Sequence, residues 1–156
     1  MKSLIYGYGI TGKSFERYLI KKNIDFDIYD INISDYSSNK DFSKYKKIYC
    51  SPGIPREEFK SLKKTNKVLT DIDIFFKEDK SIKIGITGTN RKSTTCFHLS
   101  QLISQSDSTN LIGNIGNPVL DDINNGKKYS IIELSSFQLD KMSKNFLDYG
   151  ILLNIA

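Results

Sequence analysis

The sequence contains few of the side chains that bind zinc. Its 156 residues include two cysteines, Cys50 and Cys96, and one histidine, His98. A structural zinc site usually takes about four Cys or His ligands, and neither cysteine has a neighbour at a metal-binding or redox spacing. We therefore expect these three side chains to pack in the interior or to lie on the surface.

Long hydrophobic runs are also missing. No apolar segment approaches the ~20 residues that cross a bilayer. The opening stretch MKSLIYGYG leads straight into a glycine loop and lacks the apolar core of a signal peptide. With 38% hydrophobic and 26% charged residues, the composition is typical of a soluble globular protein. We expect a cytoplasmic protein with no membrane partner.

Positive charge is present but not concentrated. The net charge is +5, and the lysine pairs are spread along the chain at 21–22, 46–47, 63–64 and 127–128. A protein that binds nucleic acid usually gathers its basic residues on one face or segment. The sequence therefore predicts no nucleic-acid partner.

Short apolar runs alternate with longer amphipathic ones, which predicts alternating strands and helices. Strands are predicted at 3–6, 26–29, 47–50, 68–69, 82–86, 110–112, 129–134 and 149–155. Helices are predicted at 12–22, 57–64, 72–77, 92–104 and 135–143. This order indicates the α/β class with parallel sheets. Because the charged stretch 77–80 interrupts the pattern, we expect a Rossmann-like domain over 1–79 and a partial P-loop-type domain over 80–156.

The first motif is GYGITG, with Gly7, Gly9 and Gly12 in GxGxxG spacing between a strand and a helix. Glycines there permit a tight turn and close approach of the backbone to a phosphate. Asp30 ends the next predicted strand, where a carboxylate can accept a hydrogen bond from a ribose hydroxyl. The pattern favours a nucleotide site, although a purely structural turn with a solvated or capping Asp30 remains an alternative.

The second motif is GITGTNRKSTT, residues 85–95, which is close to a phosphate-binding loop. In such a loop Lys92 reaches the β/γ-phosphates and Ser93 binds Mg²⁺. The residue before the lysine would normally be glycine, and here it is Arg91. The alternative is a plain glycine turn before a Ser/Thr helix start. The candidate ATP-binding residues are Gly88, Thr89, Asn90, Arg91, Lys92, Ser93 and Thr94.

The third motif is SIIELSSFQL, residues 130–139. Glu133 ends a predicted buried strand beside the loop, which is where a Mg²⁺ carboxylate belongs. Ser135 and Gln138 have the spacing of a capping box, and that role is compatible with a ligand role.

The fourth motif is GNIGNP, residues 113–118, which predicts a polar turn before a helix that Pro118 begins. A plain turn and a ligand loop are equally compatible with it.

Together, GITGTNRKST, GNIGNP and ELSSFQL resemble in this order the central ATPase domain of the Mur ligases. GYGITG, Asp30, SPGIP and TDIDIFF resemble the N-terminal uridine-nucleotide domain of the same family. The resemblance implies a cytoplasmic step of peptidoglycan synthesis. ATP and Mg²⁺ would activate the carboxylate of UDP-N-acetylmuramoyl-L-alanine as an acyl phosphate, which the amine of D-glutamate would then attack. We expect a monomer that binds these two small-molecule substrates.

The resemblance also implies roles for individual residues. Lys92 and Glu133 would be catalytic, and Ser93 and Glu133 would hold the metal. The uridine site would be lined by Ile10, Thr11, Asp30, Ile31, Ser51, Pro52 and Gly53. The pyrophosphate or sugar of the same substrate would contact Asn114, Ser135 and Gln138.

The sequence departs from the family pattern in three places. Asn32 stands where a basic residue is common, and Arg91 replaces the loop glycine. The sequence also ends before the family's next acidic-His segment, its modified lysine and its C-terminal domain, so we expect a truncated and inactive chain. Since a Cβ in a left-handed conformation costs roughly 1–2 kcal/mol, Arg91 should also weaken ATP binding.

Two rival functions remain. A nucleotide-binding remnant or regulatory module would keep the UDP pocket and bind without turnover. An NAD-dependent oxidoreductase would rest on GxGxxG and Asp30 alone and would leave the second loop and Glu133 unexplained. Preference for UDP over NAD would exclude the oxidoreductase, and turnover would exclude the remnant.

Overall fold

The computed structural model describes residues 2–37 and 41–155. The chain forms two compact units, one up to Asp71 and one from Ile72 onward. Each contains its own four-stranded parallel sheet, so the predicted α/β class with parallel sheets is confirmed. The domain boundary predicted at 79/80 stays a prediction, since the units divide within the first residues of the third helix.

The first unit has the strand order β2-β1-β3-β4. Its strands are β1 (Ser3–Tyr6), β2 (Phe26–Tyr29), β3 (Lys47–Cys50) and β4 (Lys67–Leu69). Its helices are α1 (Ile10–Lys21) and α2 (Arg56–Thr65), and a short 3-10 helix spans Ser34–Tyr36. The chain moves from β1 to one side for β2 and then crosses to the other side for β3. Ligands of open α/β sheets bind at the carboxyl ends of the strands at such a reversal.

The core of the first unit explains why these segments fold as they do. Strand β1 is buried along its whole length, as expected for a central strand covered on both faces. In α1, Phe15, Tyr18 and Leu19 are buried at helical spacing. The side chains of Lys13 and Arg17, on the opposite face, are exposed. On α2, Phe59 and Leu62 are the buried positions. Both helices pack these buried faces against the sheet.

The second unit has the strand order β6-β7-β5-β8, again all parallel. Its strands are β5 (Ile82–Thr87), β6 (Thr109–Gly113), β7 (Tyr129–Glu133) and β8 (Tyr149–Leu152). Its helices are α3 (Asp71–Glu78), α4 (Lys92–Ile103) and α5 (Ser136–Lys141). The buried cluster under α4 contains Ile84, Ile86, Cys96 and Ile131. Strand β5 is central, so its carboxyl end lies between those of β7 and β8.

In the second unit, one predicted helix is absent and the last strand is shorter than predicted. No helix begins at Pro118, because Gly116 turns with φ +69° and Asn117 bridges back to Ile112, so turns follow. The last strand ends at Leu152 rather than at 155, since its neighbour β5 ends at Thr87, opposite Leu152. Among the described residues, no helix is long and apolar enough to cross a membrane.

Candidate nucleotide sites

In the first unit, a pocket of about 400 Å³ lies where the strand order reverses. The loops that follow β1, β2 and β3 form its walls. All seven residues expected at a uridine site line this one pocket, namely Ile10, Thr11, Asp30, Ile31, Ser51, Pro52 and Gly53. The structure therefore brings together residues that are more than forty positions apart in the sequence, from Ile10 to Gly53.

Two glycines of GYGITG are required, one by its backbone conformation and one by a close backbone contact. Gly7 has φ +86°, a left-handed conformation that few side chains tolerate. A Cβ on Gly12 would lie 2.2 Å from the carbonyl oxygen of Gly7, so α1 starts directly against the end of β1. A Cβ on Gly9 would meet nothing within 4 Å. The motif therefore places the amino end of α1 at the pocket, where its unpaired N–H groups can face an anion.

Asp30 ties the loops of this pocket together. Its Oδ2 accepts from the backbone N–H of Tyr8 at 2.6 Å, and its Oδ1 accepts from that of Asn32 at 2.9 Å. On the other side, the Ser51 hydroxyl donates to the carbonyl oxygen of Gly7 at 2.7 Å. The structural role that the sequence left open for Asp30 is therefore present. Each carboxylate oxygen can accept a further bond, so a ligand role is compatible with it.

The pocket has a mainly apolar lining that carries no positive charge. Of the described residues that line it, none is Lys, Arg or His, while Asp30 and Glu58 are acidic. Burial raises the pKa of Tyr6, and the hydrogen bond from its hydroxyl to Glu58 raises that pKa further. Ile10 and Ile31 leave 77% and 74% of their surfaces exposed at the rim. Such a pocket suits the hydroxyls and the ring of a nucleoside, with phosphate held by backbone N–H groups.

Tyr6 and Glu58 also line this pocket, although the sequence did not predict either residue there. Tyr6 ends a buried strand and is itself buried, so it looked like a core residue. Glu58 lies in the first turn of α2, where an acidic residue is ordinary because it suits the helix dipole. No local signal places either residue in the pocket, because the pairing spans 52 positions.

In the second unit, β5 leads through the loop at residues 88–91 into α4. Gly88 has φ +147°, and Arg91 has φ +63° and ψ +17°, which is left-handed. Arg91 therefore adopts a backbone conformation that glycine would adopt without the cost of a Cβ. Within the described residues, no side chain caps the helix at Arg91. The first N–H groups of α4, at Lys92, Ser93 and Thr94, therefore lack intrahelical partners.

Lys92 folds back over its own loop. Its Nζ donates to the carbonyl oxygens of Gly88 at 2.8 Å and Thr89 at 3.2 Å. An ammonium group held there adds positive charge to the amino end of the helix, where the dipole already favours anions. The loop thus has the charge that the pocket of the first unit lacks.

Ser93 and Glu133 meet at the carboxyl ends of two adjacent strands. The Ser93 hydroxyl donates to Glu133 Oε2 at 2.7 Å, and Asn114 Nδ2 donates to Glu133 Oε1 at 3.0 Å. Glu133 is only 2% exposed. Burial and, secondarily, the charge of Glu133 raise the pKa of the Cys96 thiol to about 12. A carboxylate and a hydroxyl in contact are oxygen donors of the kind Mg²⁺ takes, so the side chains fit that ion.

The sequence-predicted substrate residues of the second unit have structural partners. Asn114 contacts Glu133 at the candidate metal position. Ser135 and Gln138 form the capping box of α5: Ser135 Oγ accepts from the Gln138 N–H, and Gln138 Oε1 accepts from the Ser135 N–H. The capping interpretation is confirmed, whereas substrate contact by these three residues stays a prediction.

No protein-family model matches the chain. Curated proteins do match along nearly all of it. The chain is 38% identical over 165 aligned positions to the UDP-N-acetylmuramoylalanine--D-glutamate ligase of Francisella tularensis subsp. novicida (strain U112). It is 37% identical to the proteins of the same name in F. tularensis subsp. tularensis (strain WY96-3418) and subsp. holarctica (strain FTNF002-00 / FTA).

The chain is a relative of the Mur ligases. The resemblance recognised from the motifs is thereby confirmed. The alignments cover 99% of this chain and 39% of the length of each of these ligases. Both units therefore lie inside the aligned region, and so do both candidate nucleotide sites.

Proposed function

We propose that the chain carries the nucleotide-binding units of an ATP-dependent ligase that joins D-glutamate to UDP-N-acetylmuramoyl-L-alanine. In this reaction the γ-phosphoryl group of ATP passes to the substrate carboxylate. The D-glutamate amine then forms the amide, and phosphate leaves. The names of the relatives support the reaction, and the parallel sheets agree with a nucleotide-binding fold.

The observation that carries this proposal is the contact between Ser93 and Glu133 beside the uncapped amino end of α4. Ser93 and Glu133 would hold Mg²⁺, Lys92 would contact the β/γ-phosphates, and Thr94 would offer its N–H to them. A bound Mg²⁺ would neutralise charge on the phosphates during transfer. With two protein ligands, most of its coordination sphere would come from phosphate and water, so the metal would be loosely held.

The first unit would bind the uridine nucleotide. Asp30 would accept from the ribose, the side chains of Ile10 and Ile31 would cover the ring, and the amino end of α1 would face the diphosphate. Without cations in the described lining, backbone N–H groups carry the phosphate contact. Asn32 is part of that lining, at the position where the family pattern often has a basic residue.

The decisive test for ATP is calorimetric titration of the full chain with ATP in the presence and absence of MgCl₂. Glu133→Gln should remove most of the Mg²⁺ dependence, because it takes away the charged ligand. Glu57→Gln is the matched control, since Glu57 is exposed in the first turn of α2. Equal Mg²⁺ dependence in the Glu133→Gln chain and the unmodified chain would refute the metal assignment.

The uridine site is tested by titrating the same chain with UDP and with NAD. Tighter binding of UDP is expected, because the pocket pairs the β1 loop with the Ser51-Pro52-Gly53 turn at one cavity of limited size. Tighter binding of NAD would favour the oxidoreductase alternative instead.

Binding without turnover is the second candidate function. It is favoured by Arg91, which stands in place of the usual glycine of the phosphate loop and has a left-handed backbone conformation. The assay is phosphate release with ATP, Mg²⁺, D-glutamate and UDP-N-acetylmuramoyl-L-alanine, on the unmodified 156-residue polypeptide and on Arg91→Gly. We expect no substrate-dependent release from either, because these residues align with only 39% of the relatives' length. Release by the unmodified polypeptide would show that its residues suffice for ligation.

The partners that we propose are these small molecules alone, with no nucleic acid and no membrane. The proposed compartment is the cytoplasm, as the resemblance implies for this step, and the proposed state is a monomer. Size-exclusion chromatography with light scattering checks the last point.

A further inference from the structure

Asn154 makes three hydrogen bonds to the phosphate loop. The backbone N–H of Thr89 donates to the Asn154 carbonyl oxygen at 3.0 Å. The backbone N–H of Asn90 donates to Asn154 Oδ1 at 2.8 Å, and Asn154 Nδ2 donates to the Asn90 carbonyl oxygen at 3.2 Å. The side chain thus pairs with both the N–H and the C=O of Asn90, as a neighbouring strand would.

The sheet brings Asn154 to this position. Strand β8 pairs with β5 up to Leu152 opposite Thr87, and the N–H of Leu153 donates to the Thr87 carbonyl oxygen at 3.0 Å. The next residue therefore lies beside the loop. The approach is close, because a Cβ on Gly88 would lie 3.1 Å from the backbone nitrogen of Asn154.

The amides that Asn154 binds are distinct from those that begin α4. Thr89 and Asn90 precede the helix, whereas Lys92, Ser93 and Thr94 supply its first N–H groups. Asn154 therefore leaves the helix terminus open while it fixes the path of the loop that leads there. An asparagine side chain is suited to this task, since it offers an acceptor and a donor together.

We propose that Asn154 is a positioning residue that holds the phosphate loop in the shape that binds a triphosphate. The inference rests on the proposed ATP function and adds a residue that the loop motif does not contain. Without the side chain, the Asn90 backbone loses two partners, and the loop must be ordered when the nucleotide binds. That ordering opposes binding.

The test compares the unmodified full chain with Asn154→Ala and Asn154→Asp. The control is Asn145→Ala, because Asn145 is also exposed, and its Oδ1 accepts from a nearby backbone N–H, that of Leu147, at 3.0 Å. Amide hydrogen exchange at Asn90 is measured without nucleotide, and affinities are measured for Mg²⁺–ATP and for inorganic tripolyphosphate. The same set is repeated with Arg91→Gly, which keeps the affinities within a measurable range.

In Asn154→Ala, we expect faster exchange at Asn90 and an affinity for both phosphate probes lower by about tenfold, the equivalent of one or two hydrogen bonds. Asn154→Asp, which is nearly identical in shape, keeps the acceptor but loses the donor and adds negative charge, so its affinity should fall at least as far. Asn145→Ala should change neither measurement. A merely structural role would lower the melting temperature and leave the affinity of the folded chain unchanged.

Three results would overturn the inference. Equal affinity in the unmodified chain and both Asn154 variants would show that the contact does not matter for binding. Higher affinity in Asn154→Ala would show that Asn154 blocks the loop. If the unmodified chain and Arg91→Gly bind neither probe although Asn90 is protected, then the proposed ATP function fails, and this inference fails with it.

Discussion

The two glycine loops of this chain follow the same plan and differ in what surrounds them. In each unit a central parallel strand leads through a glycine turn to a helix whose amino end faces the carboxyl edge of the sheet. The first loop is held by Asp30 and Ser51 and faces a pocket whose described lining has no cation. The second is held by Asn154 and has Lys92 folded over it and Glu133 beside it.

The strand and the turn are thus alike in the two units, and the residues from neighbouring strand ends give each loop its different charge. A lining that has the carboxylates of Asp30 and Glu58 and no cation suits a nucleoside that offers hydroxyl donors. A lysine with a buried carboxylate suits a metal–triphosphate.

The first prediction breaks the first loop while leaving the second intact. Gly12→Ala places a Cβ 2.2 Å from the Gly7 carbonyl oxygen, so α1 must move away from the end of β1. We expect a loss of about 3 kcal/mol in the free energy of unfolding, the upper range for overpacking. Urea unfolding followed by circular dichroism measures it.

The control for that prediction is Gly9→Ala in the same motif. Gly9 has φ −79°, and a Cβ there meets nothing within 4 Å, so its stability should change little. Equal destabilisation by both substitutions would mean that the close approach at Gly12 is not what the motif provides.

The second prediction makes the second loop more like an ordinary phosphate loop. Arg91→Gly relieves a left-handed residue with φ +63°, and we expect a stability gain of about 1 kcal/mol. ATP affinity should rise about fivefold, and UDP affinity should not change. Calorimetric titration with both nucleotides measures this. A lower ATP affinity would instead show that the guanidinium binds phosphate.

Asn23→Gly is the matched control for Arg91→Gly. Asn23 also has a positive φ, +52°, at the end of α1. Because asparagine tolerates this conformation better than arginine, the gain in stability should be smaller. Neither nucleotide affinity should change.

The third prediction tests the first loop through its ligand. Asp30→Asn leaves one oxygen where two now accept from the N–H groups of Tyr8 and Asn32. We expect UDP affinity to fall about tenfold, since a hydrogen bond to a charged group contributes about 1.5 kcal/mol or more. ATP affinity should stay the same. Asp35→Asn, at an exposed carboxylate of the 3-10 helix, is the control and should be neutral.

The smallest effect concerns the two cysteines, since each unit buries one of them. Cys50 and Cys96 are both 0% exposed. At pH 8, a pKa of about 12 leaves the Cys96 thiolate at roughly one part in ten thousand. We expect almost no reaction with a thiol reagent in the native chain. Because the raised pKa keeps the thiol protonated, any residual Cys96 rate should rise with pH without levelling near 9.

The same thiol reaction, measured at increasing urea concentrations, compares the unfolding of the two units. Each thiol should become reactive when its own unit opens, and a Cys50→Ser chain assigns the two signals. Rapid native reaction of Cys96 at pH 8 would contradict both its burial and its raised pKa.

Most elements could be predicted from the sequence, because their signals are local. The strands at 3–6, 26–29 and 47–50 match β1, β2 and β3 to the residue. The short 3-10 helix at Ser34–Tyr36 was missed, and the helix expected after Pro118 does not form. At Pro118 the preceding turn prevents the helix, because Asn117 forms a β-bridge with Ile112 and the chain continues as turns.

The sequence by itself determined most of the candidate residues of the two sites, because glycine turns, strand ends and capping boxes are patterns of neighbouring positions. Only the tertiary structure decided the strand orders, and with them the contacts of Glu58 with Tyr6 and of Asn154 with Asn90. Those partners are 52 and 64 positions apart. The physical reason is that hydrophobic periodicity specifies which face of a strand is buried, whereas the choice of its neighbour depends on packing throughout the unit.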